Sequence, residues 1–160
     1  MTQTTNSIRC LILACGNPLR GDDGVGPWLA GWAEERFRGD AGVRVIARQQ
    51  WTPELAEEIA RASSVIFIDC SIDADAGRVL AAPVVPEQRN SGITTHHLSA
   101  AELLSMTQEL FGTLPGETAL VTIGAKTMEL KEGLSDAVKA ALPVACAQIE
   151  AIVLRGIQDK

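Results

Sequence analysis

Residues 11–26 read Leu-Ile-Leu-Ala-Cys-Gly-Asn-Pro-Leu-Arg-Gly-Asp-Asp-Gly-Val-Gly, and this stretch decides the fold. The apolar run Leu11–Ala14 is typical of a buried strand, and helical spacing of apolar residues begins at Val25, so a strand turns into a helix here. Glycines let the backbone of such a turn bend tightly and approach a ligand. The adjacent carboxylates of Asp22 and Asp23 are costly at this position unless they meet a cation, hydrogen-bond donors or water. The loop is therefore expected to present an acid rather than to cradle a phosphate.

Outward from this stretch, short apolar runs alternate with amphipathic ones. Strands are predicted over Arg9–Ala14, Val43–Ala47, Val65–Ile68, Arg78–Val85 and Ala119–Ile123. Helices are predicted over Val25–Phe37, Pro53–Arg61, Ser99–Phe111 and Ser135–Ile157, and a polar loop over Glu87–Thr95. This order predicts an α/β fold, a three-layer α/β/α sandwich around a mostly parallel sheet of about five strands. Residues 1–160 are expected to form a single domain.

Local signals predict where several helices begin and what they bury. Thr52 before Pro53 is typical of a helix N-cap, and Ser99 with Glu102 has the spacing of a capping box. Pro143 should kink the last helix because it cannot donate to the carbonyl four residues back. Trp28 and Trp32, four residues apart, are expected to lie in the core.

Composition excludes several classes of function. The net charge is −6 with no long basic run, which argues against a nucleic-acid partner. The N-terminus lacks the pattern of a signal peptide, and no apolar stretch is expected to reach the ~18–20 residues of a membrane span, so no membrane association is expected. The four cysteines show no CxxC spacing, which favours reduced thiols in a cytoplasmic protein.

Three polar features follow predicted strands or precede a predicted helix, where ligands of open α/β sheets bind. They are the Asp22–Asp23 pair, Asp69 directly after Val65–Ile68, and the pair His96–His97. Two carboxylates and one imidazole would form a mixed oxygen–nitrogen site for a divalent metal with open positions for water or substrate. The same groups could instead orient or deprotonate a water for hydrolysis.

Each of these residues also has a purely structural interpretation. Asp23 could cap the following helix, Asp69 could end its strand in an Asx-turn, and one histidine could be a solvated loop residue. Asp22 fits a structural turn residue better than a ligand. Cys70, beside Asp69, is expected to pack rather than to act as a nucleophile, because no histidine lies in a recognisable Cys–His context.

Taken together, the motifs resemble those of the hydrogenase maturation endopeptidases, which remove a C-terminal extension from the large subunit of nickel–iron hydrogenases. The resemblance spans essentially the whole chain. It is carried by residues 11–26, Val65–Asp69, Thr95–Leu104 and Gly133–Ser135. The first motif, followed in order by the later aspartate and histidine, is fairly specific, whereas each alone would be weak.

The resemblance implies that Asp23, Asp69 and His96 contact nickel and place the tail for hydrolysis. His96 matches the family pattern of histidine, any residue and leucine better than His97 does. The nickel would be carried by the partner, a hydrogenase large-subunit precursor, rather than held permanently. Two departures are visible: the first acid of the family is often glutamate, and Gln49-Gln50-Trp51 stands where many members have a Gly-Gly-Thr turn. The second departure suggests a subgroup with a different hydrogenase partner.

Three alternative functions would each require a different motif or behaviour. A peptidyl-tRNA hydrolase shares the Gly-Asn-Pro turn but needs a histidine soon after it, and none occurs between Gly16 and Thr95. A dinucleotide-binding module needs G-x-G-x-x-G, and Gly21, Gly24 and Gly26 do not have that spacing. A non-catalytic metal-delivery or scaffold protein would bind the same partner without cleaving it.

Overall fold

The computed structural model describes residues 7–88 and 98–158, and its middle layer is a five-stranded sheet. The strands are β1 (Ile8–Cys15), β2 (Val43–Arg48), β3 (Ala62–Ser71), β4 (Val79–Pro83) and β5 (Glu117–Gly124). Their order across the sheet is β2-β1-β3-β5-β4. Only β4, at one edge, runs antiparallel to its neighbour β5. The predicted mostly parallel sheet is confirmed.

Helices cover both faces of this sheet. They are α1 (Val25–Arg36), α2 (Leu55–Ala60), α3 (Ala100–Phe111) and α4 (Asp136–Gln158), and one 3-10 turn (Gly21–Gly24) precedes α1. The first core lies between the sheet and helices α1 and α4, and the second core lies between the sheet and helices α2 and α3. The predicted three-layer α/β/α arrangement is therefore confirmed.

Alternation along the central strands decides which side chains reach each core. In β1, Ile12 belongs to the first core, whereas Leu13 and Cys15 belong to the second. In β3, Ile68 belongs to the first core and Phe67 to the second. Because side chains of a strand alternate between faces, Asp69 follows Phe67 onto the face that also carries Cys15.

Two of the predicted helix starts are confirmed and one is wrong. Ser99 caps α3 in a complete capping box with Glu102, and Ser135 Oγ accepts a hydrogen bond from the Val138 amide in the first turn of α4. Helix α2 begins after Glu54 without a side-chain cap. Because α2 begins at Leu55 rather than at Pro53, Thr52 is not the residue before its first turn, and its hydroxyl donates to the Glu54 carboxylate. Helix α4 continues through Pro143, and the kink stays a prediction.

Trp28 does not lie in the core, contrary to the expectation from its spacing. The side chain is 45% exposed, because the buried stripe of α1 is centred on Leu29 and Ala33. Trp32 is partly buried against the first core and meets Phe37 edge-on, with ring centroids 6.1 Å apart. The two tryptophans therefore occupy different environments although they are four residues apart.

Helix α4 corrects the expectation that no stretch is long and apolar enough to cross a membrane. By length and composition alone, Asp136–Gly156 could do so. Core helices pass the same test, and α4 contributes Val138, Leu142 and Ile149 to the first core. Its apolar character thus has a structural explanation in the contact with the sheet.

Two glycines of α1 offer a matched test of how closely this helix approaches β1. A Cβ at Gly26 would lie 2.2 Å from the Cys15 carbonyl oxygen, whereas a Cβ at Gly31 would meet nothing within 4 Å. We expect Gly26→Ala to lower the free energy of unfolding by about 3 kcal/mol, because backbone must shift. Gly31→Ala should raise it by about 0.5–1 kcal/mol through helix propensity. Urea denaturation of both variants checks this, and equal effects would contradict it.

Candidate functional site

The carboxyl ends of β1 and β3 bring the two predicted acidic features to one edge of the sheet. Strand β1 ends at Cys15, and the loop after it leads into the 3-10 turn that carries Asp22 and Asp23. Asp69 lies inside β3, opposite Thr122 of β5, because the strand continues to Ser71. The expectation that Asp69 ends its strand is therefore wrong by two residues. Both acids nevertheless lie at the carboxyl ends of the strands, the edge of the sheet where they were expected.

Asp22 is a structural residue, as its position in the turn suggested. Its side chain is fully buried. Oδ1 accepts a hydrogen bond from the Ser135 amide at 2.6 Å, and Oδ2 accepts from the Lys126 amide at 2.8 Å, the Ser135 hydroxyl at 2.8 Å and the Thr127 amide at 3.2 Å. Burial opposes ionisation of this carboxyl, but these donors outweigh it and hold its pKa below the ordinary value. Asp22 thus ties the first loop to the connection between β5 and α4.

Asp23 has a different hydrogen-bond partner from those of Asp22. Its Oδ2 accepts a hydrogen bond from the Asn17 amide at 2.7 Å, backward along the loop. Helix α1 begins after Gly24 without any side-chain cap, so the capping interpretation of Asp23 is wrong. No donor among residues 7–88 and 98–158 reaches Asp23 Oδ1. One carboxylate oxygen is thereby fixed in place while the other can meet a ligand.

Gly16 makes the tight closure of this loop possible. Its φ is +147°, and a Cβ there would lie 2.0 Å from the Asp23 carbonyl oxygen. Any side chain would push the Asp23 backbone away from β1. The glycine that follows the first strand is therefore required by the position of Asp23.

Asp69 is held from two directions. Its Oδ1 accepts a hydrogen bond from the Cys70 amide at 2.8 Å, and the thiol of Cys15 donates to its carboxylate from the neighbouring strand. Burial raises the pKa of the Cys15 thiol, and the negative charge of Asp69 and this hydrogen bond raise it further. Asp23 acts on the same thiol by its charge, so both acids lie near Cys15.

The thiols of this edge are protonated and unsuited to nucleophilic attack. Burial, followed by the charges of Asp23 and Asp69, raises the pKa of Cys70 to about 12. Because the thiolate is the nucleophilic form, Cys70 is inert at neutral pH. All four cysteines are free, with Cys10 and Cys15 buried. This agrees with the expectation that Cys70 packs rather than reacts.

Two of the three predicted metal contacts can be placed. Among residues 7–88 and 98–158, no three histidine, cysteine, aspartate or glutamate side chains form a group that could hold a metal ion. His96, the third predicted contact, lies outside the described residues, as does His97. Asp23 and Asp69 supply carboxylate oxygens, which suit divalent cations only when further ligands complete the shell. The pair can therefore contact a metal that brings other ligands with it.

A cleft of about 430 Å³ lies elsewhere in the molecule. It opens between β4, the start of β5 and α4, and its walls include Ala82, Glu117 and Ile152. Arg155 lines the cleft and pairs with Glu117 at 3.1 Å. Glu117 is the first residue of β5, whereas Asp69 pairs with Thr122 farther along that strand. The acids do not line this cleft.

Several solved structures have this fold and superpose on nearly the whole chain. The hydrogenase maturating endopeptidase HybD from E. coli superposes with a TM-score of 0.74 and 24% identity, over 92% of this chain and 93% of its own. The [NiFe] hydrogenase maturation protease HybD from Thermococcus kodakarensis gives 0.70 and 27%, over 91% and 99%. The hydrogenase 2 maturation peptidase from Thaumarchaeota archaeon SCGC_AB-539-E09 gives 0.64 and 25%, over 90% and 97%.

The chain is similar in fold, over nearly its whole length, to solved hydrogenase maturation endopeptidases. No protein-family model matches its sequence, and no curated protein does either. The similarity therefore consists of the shared fold and the near-complete coverage of both chains.

The structural roles of three residues at or near this edge were not predicted from the sequence. Ser135 was recognised only as a helix cap, although it also donates twice to Asp22. Cys15 supports Asp69, and strand alternation could have shown that both lie on one face. Trp51 was noted only as part of the Gln49-Gln50-Trp51 departure, and its burial in the second core was not expected.

Proposed function

We propose that the protein is an endopeptidase that removes the C-terminal extension of a nickel–iron hydrogenase large-subunit precursor after nickel insertion. One observation carries the proposal: a chain with the fold of hydrogenase maturation endopeptidases places Asp23 and Asp69 at one sheet edge, each fixed through one oxygen by a backbone amide. Backbone amides hold a carboxylate in position and leave its charge available to a cation.

In this proposal Asp23, Asp69 and His96 contact the nickel that the precursor brings. Leu98, which follows His96 by two residues in the sequence, is buried in the second core together with Cys15 and Phe67. Nickel is part of the substrate and supplies a Lewis acid next to the scissile peptide. The chain's own groups bind and orient, and a hydrolytic water completes the reaction. The location proposed for this activity is the cytoplasm.

Cysteine and serine protease chemistry fits the edge less well. The thiols of Cys15 and Cys70 are held protonated by burial and by the two acids. A nucleophilic mechanism also needs a base within hydrogen-bond reach of the nucleophile. Hydrolysis assisted by the carboxylates or by the metal therefore explains the site better.

The proposal predicts nickel-dependent cleavage. Incubated with nickel-loaded precursor, the protein should release one C-terminal peptide, seen as a mass loss of the large subunit, because the acids recognise the metal and place the tail. Nickel-free precursor should stay intact under the same conditions. Tight binding of the loaded precursor without any mass loss would instead identify a non-catalytic metal-delivery or scaffold protein.

A further inference from the structure

Trp51 is a buried side chain next to the acidic edge that the proposed reaction leaves without a role. It follows the end of β2 by three residues, and the last residue of β2, Arg48, is the register partner of Cys15. The indole is 6% exposed and meets Phe67 edge-on, with ring centroids 5.2 Å apart. Phe67 precedes Asp69 by two residues on the same face, which is about 7 Å along a strand. The ring therefore packs on the face of the sheet that carries Asp69, against the residue two positions before it.

The indole nitrogen of this residue has no hydrogen-bond partner. Trp51 Nε1 is buried, and no acceptor reaches it from the part of the chain that the structure describes, 7–88 and 98–158. An indole N–H can only donate, and buried indoles normally find an acceptor. A buried donor left unpaired costs about 1–3 kcal/mol. The free protein thus retains an unused donor at this place.

The other buried atoms without a partner differ from Trp51 Nε1. Arg9 Nε belongs to a guanidinium whose Nη2 pairs with Asp40 Oδ2 at 2.6 Å. Glu58 Oε2 belongs to a carboxylate whose Oε1 pairs with Arg44 Nη2 at 3.0 Å. In both residues another atom of the same charged group forms an ion pair. Within the described residues, Trp51 is the one whose single polar atom is unpaired.

We propose that the Trp51 indole N–H, which has no acceptor among residues 7–88 and 98–158, donates to a main-chain carbonyl oxygen of the precursor's tail. The inference rests on the proposed endopeptidase function. A neutral carbonyl fits better than an anionic group, because the charges of Asp23 and Asp69 disfavour a second anion at this edge. Since Nε1 is shielded, the side chains around it shift as the peptide enters. Trp51 thereby helps to select an extended peptide.

The variant Trp51→Phe separates this role from simple packing, because it removes the N–H and keeps an aromatic ring. The substitution removes no hydrogen bond of the described residues. The melting temperature should therefore fall only by the small amount that results from replacing the indole with a smaller ring. The dissociation constant for nickel-loaded precursor, measured by titration calorimetry, should rise about 10-fold, the value of one hydrogen bond. Trp28→Phe, on an exposed tryptophan, is the control and should change neither quantity.

Binding rather than cleavage is the readout, so the result does not depend on whether the wild-type protein cleaves the precursor. Weaker binding with an unchanged melting temperature supports the inference even if no peptide is released. An unchanged dissociation constant overturns it. A melting temperature lowered by many degrees also overturns it, because the N–H would then already have an acceptor in the free protein. Wild-type protein that fails to bind the loaded precursor overturns it as well.

Discussion

The variant Asp69→Asn should cleave nickel-loaded precursor at least about 100-fold more slowly than the wild-type protein, with little change in stability. Asparagine keeps an oxygen that can accept from the Cys70 amide, so the local backbone is preserved. The negative charge that would meet the metal or activate water is lost, and removal of such a group typically costs about 10²–10⁴ in rate. Single-turnover kinetics followed by mass spectrometry measure the effect.

Asp23→Asn should have a similar effect, and the double variant should be little worse than either single one. Groups that act together on one reacting centre are not additive. Asp73→Asn is the matched control, because this exposed aspartate follows the same strand β3 and is not part of the acidic edge. Cleavage by Asp69→Asn at the wild-type rate, with the control also unchanged, would remove Asp69 from the site.

The variant Asp22→Ala should lower the free energy of unfolding by about 3 kcal/mol or more. It leaves the Lys126, Thr127 and Ser135 amides, together with the Ser135 hydroxyl, without their acceptor in a buried place. Each unpaired buried donor costs about 1–3 kcal/mol, although local relaxation and water reduce the sum. In a chain of this size the melting temperature should fall by roughly 10 °C. Calorimetry of this variant and of the exposed control Asp75→Ala checks the difference.

The same carboxylate predicts how stability depends on pH. Because the folded pKa of Asp22 is depressed, its contribution is present above the unfolded pKa of about 4 and is lost as pH falls toward the folded value. The wild-type protein should therefore lose stability below about pH 4 more steeply than Asp22→Ala does. Urea denaturation at a series of pH values between about 2 and 6 gives this slope. If the free energy of unfolding falls with the same slope below pH 4 in both proteins, Asp22 is not the group that titrates.

Strand and helix order could be predicted from the sequence because hydrophobic periodicity is local. β1, β3 and α3 were located within a few residues by their apolar runs and by the Ser99–Glu102 capping box. The edge that gathers Asp23 and Asp69 followed from the parallel order of the strands. These features need no knowledge of distant contacts.

Features set by contacts between distant segments could not be predicted. Spacing placed Trp28 and Trp32 on one helix face, but how α1 lies against the sheet decides which of them is covered. Trp51 is buried because it packs on Phe67 from another strand. Such outcomes depend on tertiary packing that periodicity does not record.

The hydrogen bonds of Asp22 also constrain the order in which the chain can fold during its synthesis. Its donors lie 104–113 residues farther along the chain, so the loop of Asp22 cannot form these hydrogen bonds while only the first strands have been synthesised. Contacts between residues so far apart in sequence form late, because closing the intervening loop costs conformational entropy before the contacts stabilise it. The acidic loop should therefore become ordered only after the start of α4 has emerged. A nascent chain would lack a finished site until nearly all of it had been translated.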